Sequence, residues 1–552
     1  MKKKNNFFKG VLSLVIAQIV IKILGMIYSL YLTNKRGFGD TGNAIYMSGY
    51  QVFALFLTIS SIGVPNAISK LISEKLAKND EYGADRIFKI ALTAFAIVGF
   101  IETSILFLFA KEISNNLLQI KEAEYSLMFL SPAIFFVSIS SVIEGYFNGK
   151  KEIKQTAKAQ SVEQLLKMIC TIIFVEFVAK ISGNNTEYMA ASASFATTIA
   201  TILSVLYLYI ISRKIRKKVN YKNLIYYKKE KISTILINIA KVSIPLAICS
   251  MLVALYKNID ALTVVRILKK FVGEELAQTK YGILTSKVDV LLTVPLSFNM
   301  AFTIALIPEI ASAKVRNDER EISDKISFSL FITMILAIPS MFGIYCYAEE
   351  IIRLLFPNAI QGAELLKISA FVIPFEILVQ TINGSLQGLG KHGMTTISLL
   401  IGGIVKLIGN IVFINMPIFL EKGAIISTIC CYCVVFFISG FVLMRNCKIK
   451  IDVVQYLIKP MISSFIMIIL SKMLYDFLDS KDIKQQYIII ISILFAVIVY
   501  ILVLAILMLS EIIKIFKDKN IFFVNKLKNQ SLKASKINTF KSWKPWRCWK
   551  IK

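Results

Sequence analysis

Long apolar runs dominate this sequence and restrict the folds that are open to it. About fourteen runs are present, and a helix of some twenty apolar residues crosses the roughly 30 Å of hydrocarbon in a bilayer. With 56% hydrophobic residues, a soluble chain could not bury its apolar surface. The sequence therefore predicts an all-α polytopic membrane protein in the cell membrane. The predicted spans are 7–32, 43–71, 87–110, 124–148, 157–180, 187–211, 238–265, 281–312, 326–348, 364–388, 394–418, 423–444, 454–475 and 486–512.

Basic residues lie mostly in the short segments between these runs. They are concentrated in every second loop and at both ends of the chain, which predicts that both termini are cytoplasmic. The net charge of +29 is thus an orientation signal, and nucleic-acid binding is not expected because no basic patch falls on a soluble domain. The run Arg213–Lys218, within the basic segment 212–236, fits either a solvated linker or a contact with anionic membrane lipids.

One stretch occurs twice, which indicates two copies of one structural unit. Matching glycines and lysines are separated by 239 residues. Each copy contains six predicted spans, an even number, so the copies have the same orientation and enclose a cavity between them. The glycines are expected to be close-packing points at helix ends. The matching pairs are Gly145 and Gly384, Gly149 and Gly388, and Lys167 and Lys406.

The repeat sets the predicted domain boundaries. The tail carries all three tryptophans within its last ten residues, among lysines and an arginine, which suits either an interfacial anchor or an unstructured end. The predicted domains are an N-terminal six-helix bundle (1–211), a basic cytoplasmic linker (212–236), a second six-helix bundle (237–445), two extra transmembrane helices (446–513) and a basic cytoplasmic tail (514–552).

Several ionisable residues fall inside apolar spans, where a charge is costly unless it faces water or a partner. Lys22 and Lys287 have no close partner in sequence and lie in the middle of spans one and eight, so we expect them to hold an anionic ligand. Lys167 and Lys406, which the repeat relates, are further cavity candidates. Glu163 lies four residues before Lys167 on one helix face, either as its structural ion-pair partner or as a binding residue.

Carboxylates inside the spans leave two interpretations open. Lys257 and Asp260 are three residues apart and could likewise form an ion pair. Glu102, Glu176 and Glu376 fit either proton or ion sites or ordinary packing partners. No cofactor is predicted apart from a coupling proton or sodium ion.

Four segments carry a recognisable pattern. They are GYFNG-x6-TAKAQSVEQLLK from Gly145, SLQGLGK-x3-TTISLLIGGIVKLIGN from Ser385, SKVDVLLTVPLSFNMAFTIALIPEIA from Ser286 and IKILGMIY from Ile21. Together they resemble the polysaccharide-type flippases of the MOP (MATE-like) superfamily, especially the stage V sporulation B and lipid II flippase groups. The resemblance covers nearly the whole chain to about residue 512.

That resemblance implies an outward flippase for a polyprenyl-pyrophosphate-linked sugar, lipid II or a related oligosaccharide, used in cell-wall, spore-cortex or polysaccharide synthesis. Cations in the family's cavity hold the pyrophosphate, and Lys22 and Lys287 stand where lipid II flippases have arginines. Some of these flippases hold a sodium ion between spans seven, eleven and twelve. The matching oxygen ligands here are Asp260, Asn410 and Thr428.

Two other classes of function stay open. A cation-coupled multidrug exporter of the same superfamily would need an acidic cavity, whereas the candidates in spans one and eight are basic. A membrane glycan polymerase would need acid and base residues on a sizeable loop, and the outward loops are short. We therefore predict no catalytic residues and no enzymatic activity, and the sequence does not indicate the oligomeric state.

Overall fold

The computed structural model describes residues 2–61, 63–216, 230–449, 452–481 and 483–509. Every regular element within those ranges is helical, so the predicted all-α polytopic fold is confirmed. The chain separates into two compact units, Met1–Ile451 and Asp452–Lys552. Most of the predicted linker (217–229) and the predicted tail with its tryptophans lie outside the described residues.

The first half of the first unit, which we call the N-lobe, contains the first copy of the repeat. A π-helical turn, Ile113–Leu118, follows its shortest helix. The helices are α1 (Lys2–Asn34), α2 (Gly39–Ser61), α3 (Gly63–Ala77), α4 (Glu81–Leu108), α5 (Ala110–Glu112), α6 (Ala123–Gly149), α7 (Ile153–Ser182) and α8 (Thr186–Arg216).

The second half, the C-lobe, contains the second copy. A π-helical turn, Leu284–Val288, joins its second and third helices into one span. The helices are α9 (Ile232–Val272), α10 (Glu274–Ile283), α11 (Asp289–Val315), α12 (Glu319–Cys346), α13 (Ala348–Leu355), α14 (Ala363–Ser369), α15 (Val372–Gly388), α16 (His392–Ile414) and α17 (Lys422–Asn446).

The second unit is a helical pair outside the repeat. It consists of a π-helical turn, Val454–Ile458, that continues into α18 (Lys459–Asp479), followed by α19 (Gln485–Leu507). These helices correspond to the last two predicted spans. Apolar side chains cover much of their surface, as expected of helices that face lipid.

Equivalent turns in the two lobes have the same local geometry. Asp80 caps α4 and Asp318 caps α12, and each carboxylate accepts a hydrogen bond from the backbone N–H three residues further on, at 2.7 and 3.0 Å. The preceding residues, Asn79 and Asn317, have φ values of 57° and 54°, in the left-handed region that asparagine tolerates better than most residues. The repeat is thus structural as well as sequential.

The repeated glycines lie where helices touch, as predicted. A Cβ atom on Gly149 of α6 would come within 2.9 Å of the Cβ of Ile72 on α3. A Cβ on Gly388 of α15 would come within 2.9 Å of the Cβ of Ile310 on α11. Each lobe therefore depends on a missing side chain to bring two helices together.

Most of the predicted spans satisfy a simple length and hydropathy criterion. Ten helices among the described residues are long and apolar enough to cross a membrane, or eleven if the bent pair α14–α15 is one span. Of the other three predicted spans, α1 contributes the shorter apolar segment Val20–Asn34. The remaining two, α7 and α10–α11, carry several ionisable residues. The total of fourteen spans stays a prediction.

The lobes meet through a shared core and through polar contacts at one face, where α1 ends and α2 begins. We call it the outer face because the basic loops predict that it lies outside the cell. There the Asn34 amide donates to the carbonyl of Leu355 at 2.7 Å, and the Asn358 amide donates to the carbonyl of Asn34 at 2.9 Å. Gly282 packs so tightly that a Cβ would lie 1.9 Å from the carbonyl oxygen of Asp40. The lobes are therefore in contact, backbone to backbone, across this face.

Candidate ligand-binding cavity

Two adjoining chambers lie between the lobes. The N-chamber, of about 330 Å³, is lined mainly by α1, α2, α7 and α11. The C-chamber, of about 220 Å³, is lined mainly by α9, α11 and α14–α17. Together they have the size of a small-molecule site. Five residues line both chambers, namely Lys22, Lys257, Asp289, Thr293 and Ser297.

Lys22 of α1 lies at the junction of the chambers, and its side chain is exposed to them. Among the described residues, no carboxylate lies within ion-pair distance of its ammonium group. A lysine in the middle of a span needs water or an anion as its partner. Its position therefore matches the cavity cation that the sequence predicts.

Lys257 of α9 forms an ion pair with Asp289, the first residue of α11, at 3.1 Å. The spacing in the sequence left a pair between Lys257 and Asp260 open, and the structure does not form that direct ion pair, because Asp260 contacts Lys406. Each of the two residues has a partner on a neighbouring helix, because α9 is packed between several helices that carry charge. Residues one turn apart on such a helix can therefore face different neighbours.

Lys167 of α7 holds its ammonium group beneath aromatic rings in the N-chamber. Its Nζ lies 4.5 Å from the ring centroid of Tyr50 and 5.1 Å from that of Tyr28. The side chain is only 6% exposed, yet it forms no ion pair with the described residues. Cation–π contacts stabilise the charge without neutralising it, so the N-chamber keeps a positive potential.

Lys406 of α16 occupies the equivalent position in the C-lobe, but its charge is neutralised. Its Nζ lies 2.7 Å from Oδ1 of Asp260 and donates to Oγ1 of Thr428 at 2.6 Å. The side chain is 1% exposed. The three residues thus form a buried polar cluster in the wall of the C-chamber.

The predicted sodium ligands are brought together, but the residues present do not fit the ion. Asp260 and Thr428 both bind the Lys406 ammonium group, so a cation is already placed between their oxygens. The Asn410 amide nitrogen donates to Asp260 at 2.8 Å, and its carbonyl oxygen accepts from the hydroxyl of Ser427. The three predicted ligands are therefore committed to protein groups.

Lys287, the second predicted ligand cation, does not face either chamber. It is fully buried in the π-helical turn before α11, and its ammonium donates to Asp40 at 2.8 Å and to the carbonyls of Ala359 and Gln361 at 2.6 and 3.0 Å. Three oxygens satisfy three N–H groups. Because Asp40 belongs to the N-lobe, Lys287 instead joins the lobes near the outer face.

The other predicted carboxylates have protein partners. Glu163 accepts from the hydroxyl of Thr201 on α8 at 3.0 Å, and it lines neither chamber. It lies near enough to Lys167 for the two charges to interact, but among the described residues they form no direct ion pair. Glu176 pairs with Lys35 at 2.7 Å, and Glu376 lines the C-chamber and accepts from a tyrosine hydroxyl at 3.0 Å. Glu102 is buried on α4.

Sequence reasoning missed the aromatic wall of the N-chamber. Tyr28 on α1 and Tyr46 and Tyr50 on α2 line it, and the two on α2 are four residues apart with ring centroids 5.9 Å from each other. Tyrosines spaced i, i+4 within a span share a helix face. That spacing is a usable signal, because a hydroxyl at bilayer depth needs a polar neighbour.

Family comparisons agree with this architecture. The family described as "Polysaccharide biosynthesis protein" matches residues 7–314, and MatE matches residues 245–412. The lipid II flippase MurJ of Bacillus subtilis (strain 168) is 27% identical over 461 residues, covering 80% of this chain and 83% of that protein. Stage V sporulation protein B of the same organism is 27% identical over 417 residues, covering 73% and 77%.

Solved structures share the fold. The lipid II flippase MurJ in an inward closed conformation superposes with a TM-score of 0.66 at 16% identity, covering 90% of this chain and 99% of that one. A multidrug-resistance MATE transporter in an inward-facing conformation gives a TM-score of 0.64 at 13% identity, covering 78% and 98%. At these identities the likeness describes the fold alone.

Proposed function

The chain belongs to the polysaccharide biosynthesis protein family, and we propose that it is a flippase for a lipid-linked sugar precursor in the cell membrane. Its relatives MurJ and stage V sporulation protein B support a substrate of the polyprenyl-pyrophosphate class, lipid II or a related oligosaccharide. The headgroup would be held between the lobes while the lipid tail stays in the bilayer. Such a role needs no covalent chemistry.

One observation carries this proposal: the N-chamber contains more positive than negative charge. Among the described residues, the charged groups that line it are three lysines, Lys22, Lys167 and Lys257, and one carboxylate, Asp289. Lys257 is paired with that carboxylate, which leaves the other two cations for a ligand. A pyrophosphate desolvated in such a chamber would be strongly attracted, because charges interact more strongly there than in water.

Alternating access would give the headgroup a path across the membrane. The lobes are in contact across the outer face, so a headgroup in the chambers would be released outward only after that contact parts. The distribution of basic loops predicts that both termini are cytoplasmic, and the basic run at Arg213–Lys218 would suit anionic lipids at that surface.

Native mass spectrometry of gently extracted protein tests the proposal. We expect the wild type to carry a polyprenyl-pyrophosphate sugar and Lys22→Ala to carry at least about tenfold less, as loss of one charge-assisted contact implies. Lys241→Ala is the matched control, because Lys241 is an exposed lysine in the span α9 that lines neither chamber.

Complementation of a flippase-deficient strain tests whether the protein is active in cells. Lys22→Ala should fail and Lys241→Ala should succeed, with both proteins at wild-type abundance in the membrane. Full activity of Lys22→Ala at normal abundance would show that the cavity has been assigned wrongly.

A cation-coupled multidrug exporter is the second candidate, favoured by the MatE match and by the three carboxylates of the C-chamber. Each carboxylate is bonded to a donor, since Asp260 pairs with Lys406, Asp289 pairs with Lys257 and Glu376 accepts from a tyrosine. A cationic drug would have to displace those partners. Dye efflux from intact cells that depends on Glu376 would favour the exporter.

A further inference from the structure

We propose that the Lys406 ammonium group acts as a tethered cation in the oxygen site between α9, α16 and α17, so that this chain binds no sodium ion there. The conclusion that sodium does not drive transport through this site rests on the proposed transport function. The conclusion that sodium does not bind there can be tested without any substrate. The chain would then carry its own cation at the position of the predicted sodium site.

The geometry of the ammonium group is that of a bound cation. Its Nζ lies 2.7 Å from Oδ1 of Asp260, 2.6 Å from Oγ1 of Thr428 and 3.4 Å from the carbonyl oxygen of Ala424. One carboxylate, one hydroxyl and one carbonyl therefore face three N–H donors. The contacts with Asp260 and Thr428 have the short distances typical of charge-assisted interactions, whereas the one with Ala424 is longer.

A sodium ion held by the same oxygens would overlap the ammonium group. Asp260 and Thr428 lie on different helices, and the space between their oxygens is where Nζ is found. The two positive charges would also repel each other in the wall of the C-chamber, where the Lys406 side chain is buried and that of Asp260 is 17% exposed. Lys406 would have to leave before an ion could enter.

Neighbouring groups hold this arrangement in place. Asn410 turns its amide nitrogen toward Asp260 and Thr263, at 2.8 and 2.7 Å, so it presents donors to the carboxylate. Its carbonyl oxygen accepts from Ser427. The ammonium group of Lys406 and the amide of Asn410 thus both contact Oδ1 of Asp260, which places two protein donors on the same carboxylate oxygen.

The repeat supplies an internal comparison. Lys167 is the equivalent lysine of the N-lobe, but aromatic rings surround its ammonium group and no carboxylate pairs with it among the described residues. Removing Lys167 would therefore leave no anionic oxygen site. Removing Lys406 would leave Asp260 and Thr428 facing an empty position.

Thermal unfolding of the purified full-length protein in detergent tests the proposal directly. Sodium chloride is titrated against choline chloride at constant ionic strength. The wild type should show no saturable response to sodium. Lys406→Met should have a lower unfolding midpoint in choline that rises by about 2 °C or more, with saturation, as sodium is added. Lys167→Met, the matched control, should not gain this response.

The double variant Asp260→Asn/Lys406→Met should lose the response, because the anionic oxygen is gone. A saturable sodium-specific shift in the wild type that Asp260→Asn abolishes would overturn the proposal. So would a folded Lys406→Met protein that is indifferent to sodium. If Lys406→Met does not fold, the sodium titrations of the wild type and of Asp260→Asn alone test whether the wild type binds sodium through Asp260. These outcomes are separate from the lipid measurement, which involves no sodium.

Discussion

The two lobes carry the same lysine in opposite electrostatic settings. Lys406 of the C-lobe is neutralised by Asp260, whereas Lys167 of the N-lobe lies under tyrosine rings and keeps its charge. One backbone, used twice, thus gives a structural ion pair on one side and a cation facing a chamber on the other. An internal repeat conserves geometry, and the side chains around a repeated residue decide whether it can bind a ligand.

The largest expected effect comes from breaking the C-lobe pair. Asp260→Asn should lower the free energy of unfolding by about 3 kcal/mol, because it leaves the Lys406 ammonium buried without an anion. Asp260→Asn/Lys406→Met should recover much of that loss, since both charges are then removed. Denaturant unfolding in micelles measures both variants and yields the coupling energy. A single variant as stable as the wild type would show that the pair contributes little.

A smaller effect on stability, but a large one on binding, is expected in the N-lobe. Lys167→Gln should cost about 2 kcal/mol of folding free energy, the size of a cation–π contact at a buried site. It should weaken retention of the polyprenyl-pyrophosphate lipid by roughly tenfold or more, measured by native mass spectrometry. Lys180→Gln, an exposed lysine on the same helix, is the control. Equal retention by both variants would remove Lys167 from the proposed site.

The smallest effect should appear where the lobes are most alike. Asp80→Ala and Asp318→Ala each remove a helix N-cap, at a cost of about 1 kcal/mol. Asp80→Ala should cost more, because Asp80 is buried and lies 3.6 Å from Lys75. The Asn variants keep the cap and serve as controls when unfolding midpoints are compared. If Asn costs as much as Ala at both positions, the caps are not what stabilises these turns.

Much of the fold could be predicted because the signals are local. The lengths of the hydrophobic runs predict the helices, and the constant offset of 239 residues predicts the two lobes. The G-x-x-x-G pattern predicts the close helix contacts at Gly149 and Gly388. Each of these depends only on residues near one another in sequence or on a fixed spacing. The positions of the helices therefore followed from the sequence alone.

The sequence could not predict which group each charged side chain contacts, because those contacts join helices that are far apart in sequence. Lys22 and Lys287 look alike as lysines inside apolar spans, yet one faces the chambers and the other bonds to Asp40, 247 residues away. Lys257 and Asp260 likewise each form an ion pair with a residue of another helix. Spacing along one helix shows which residues share a face of that helix. The packing of helices against one another determines which residues of other helices that face contacts.

The contact between Gly282 and Asp40 also bears on how freely this protein can vary. The ion pair beside it is formed by Asp40 and Lys287, and another base there would have to donate to the same carboxylate and to the same two backbone carbonyls. At Gly282 no side chain of any kind fits, because a single added carbon would lie 1.9 Å from the Asp40 carbonyl oxygen. In this part of the molecule, the lack of space at Gly282 therefore restricts substitutions more strongly than the charges of the neighbouring ion pair do.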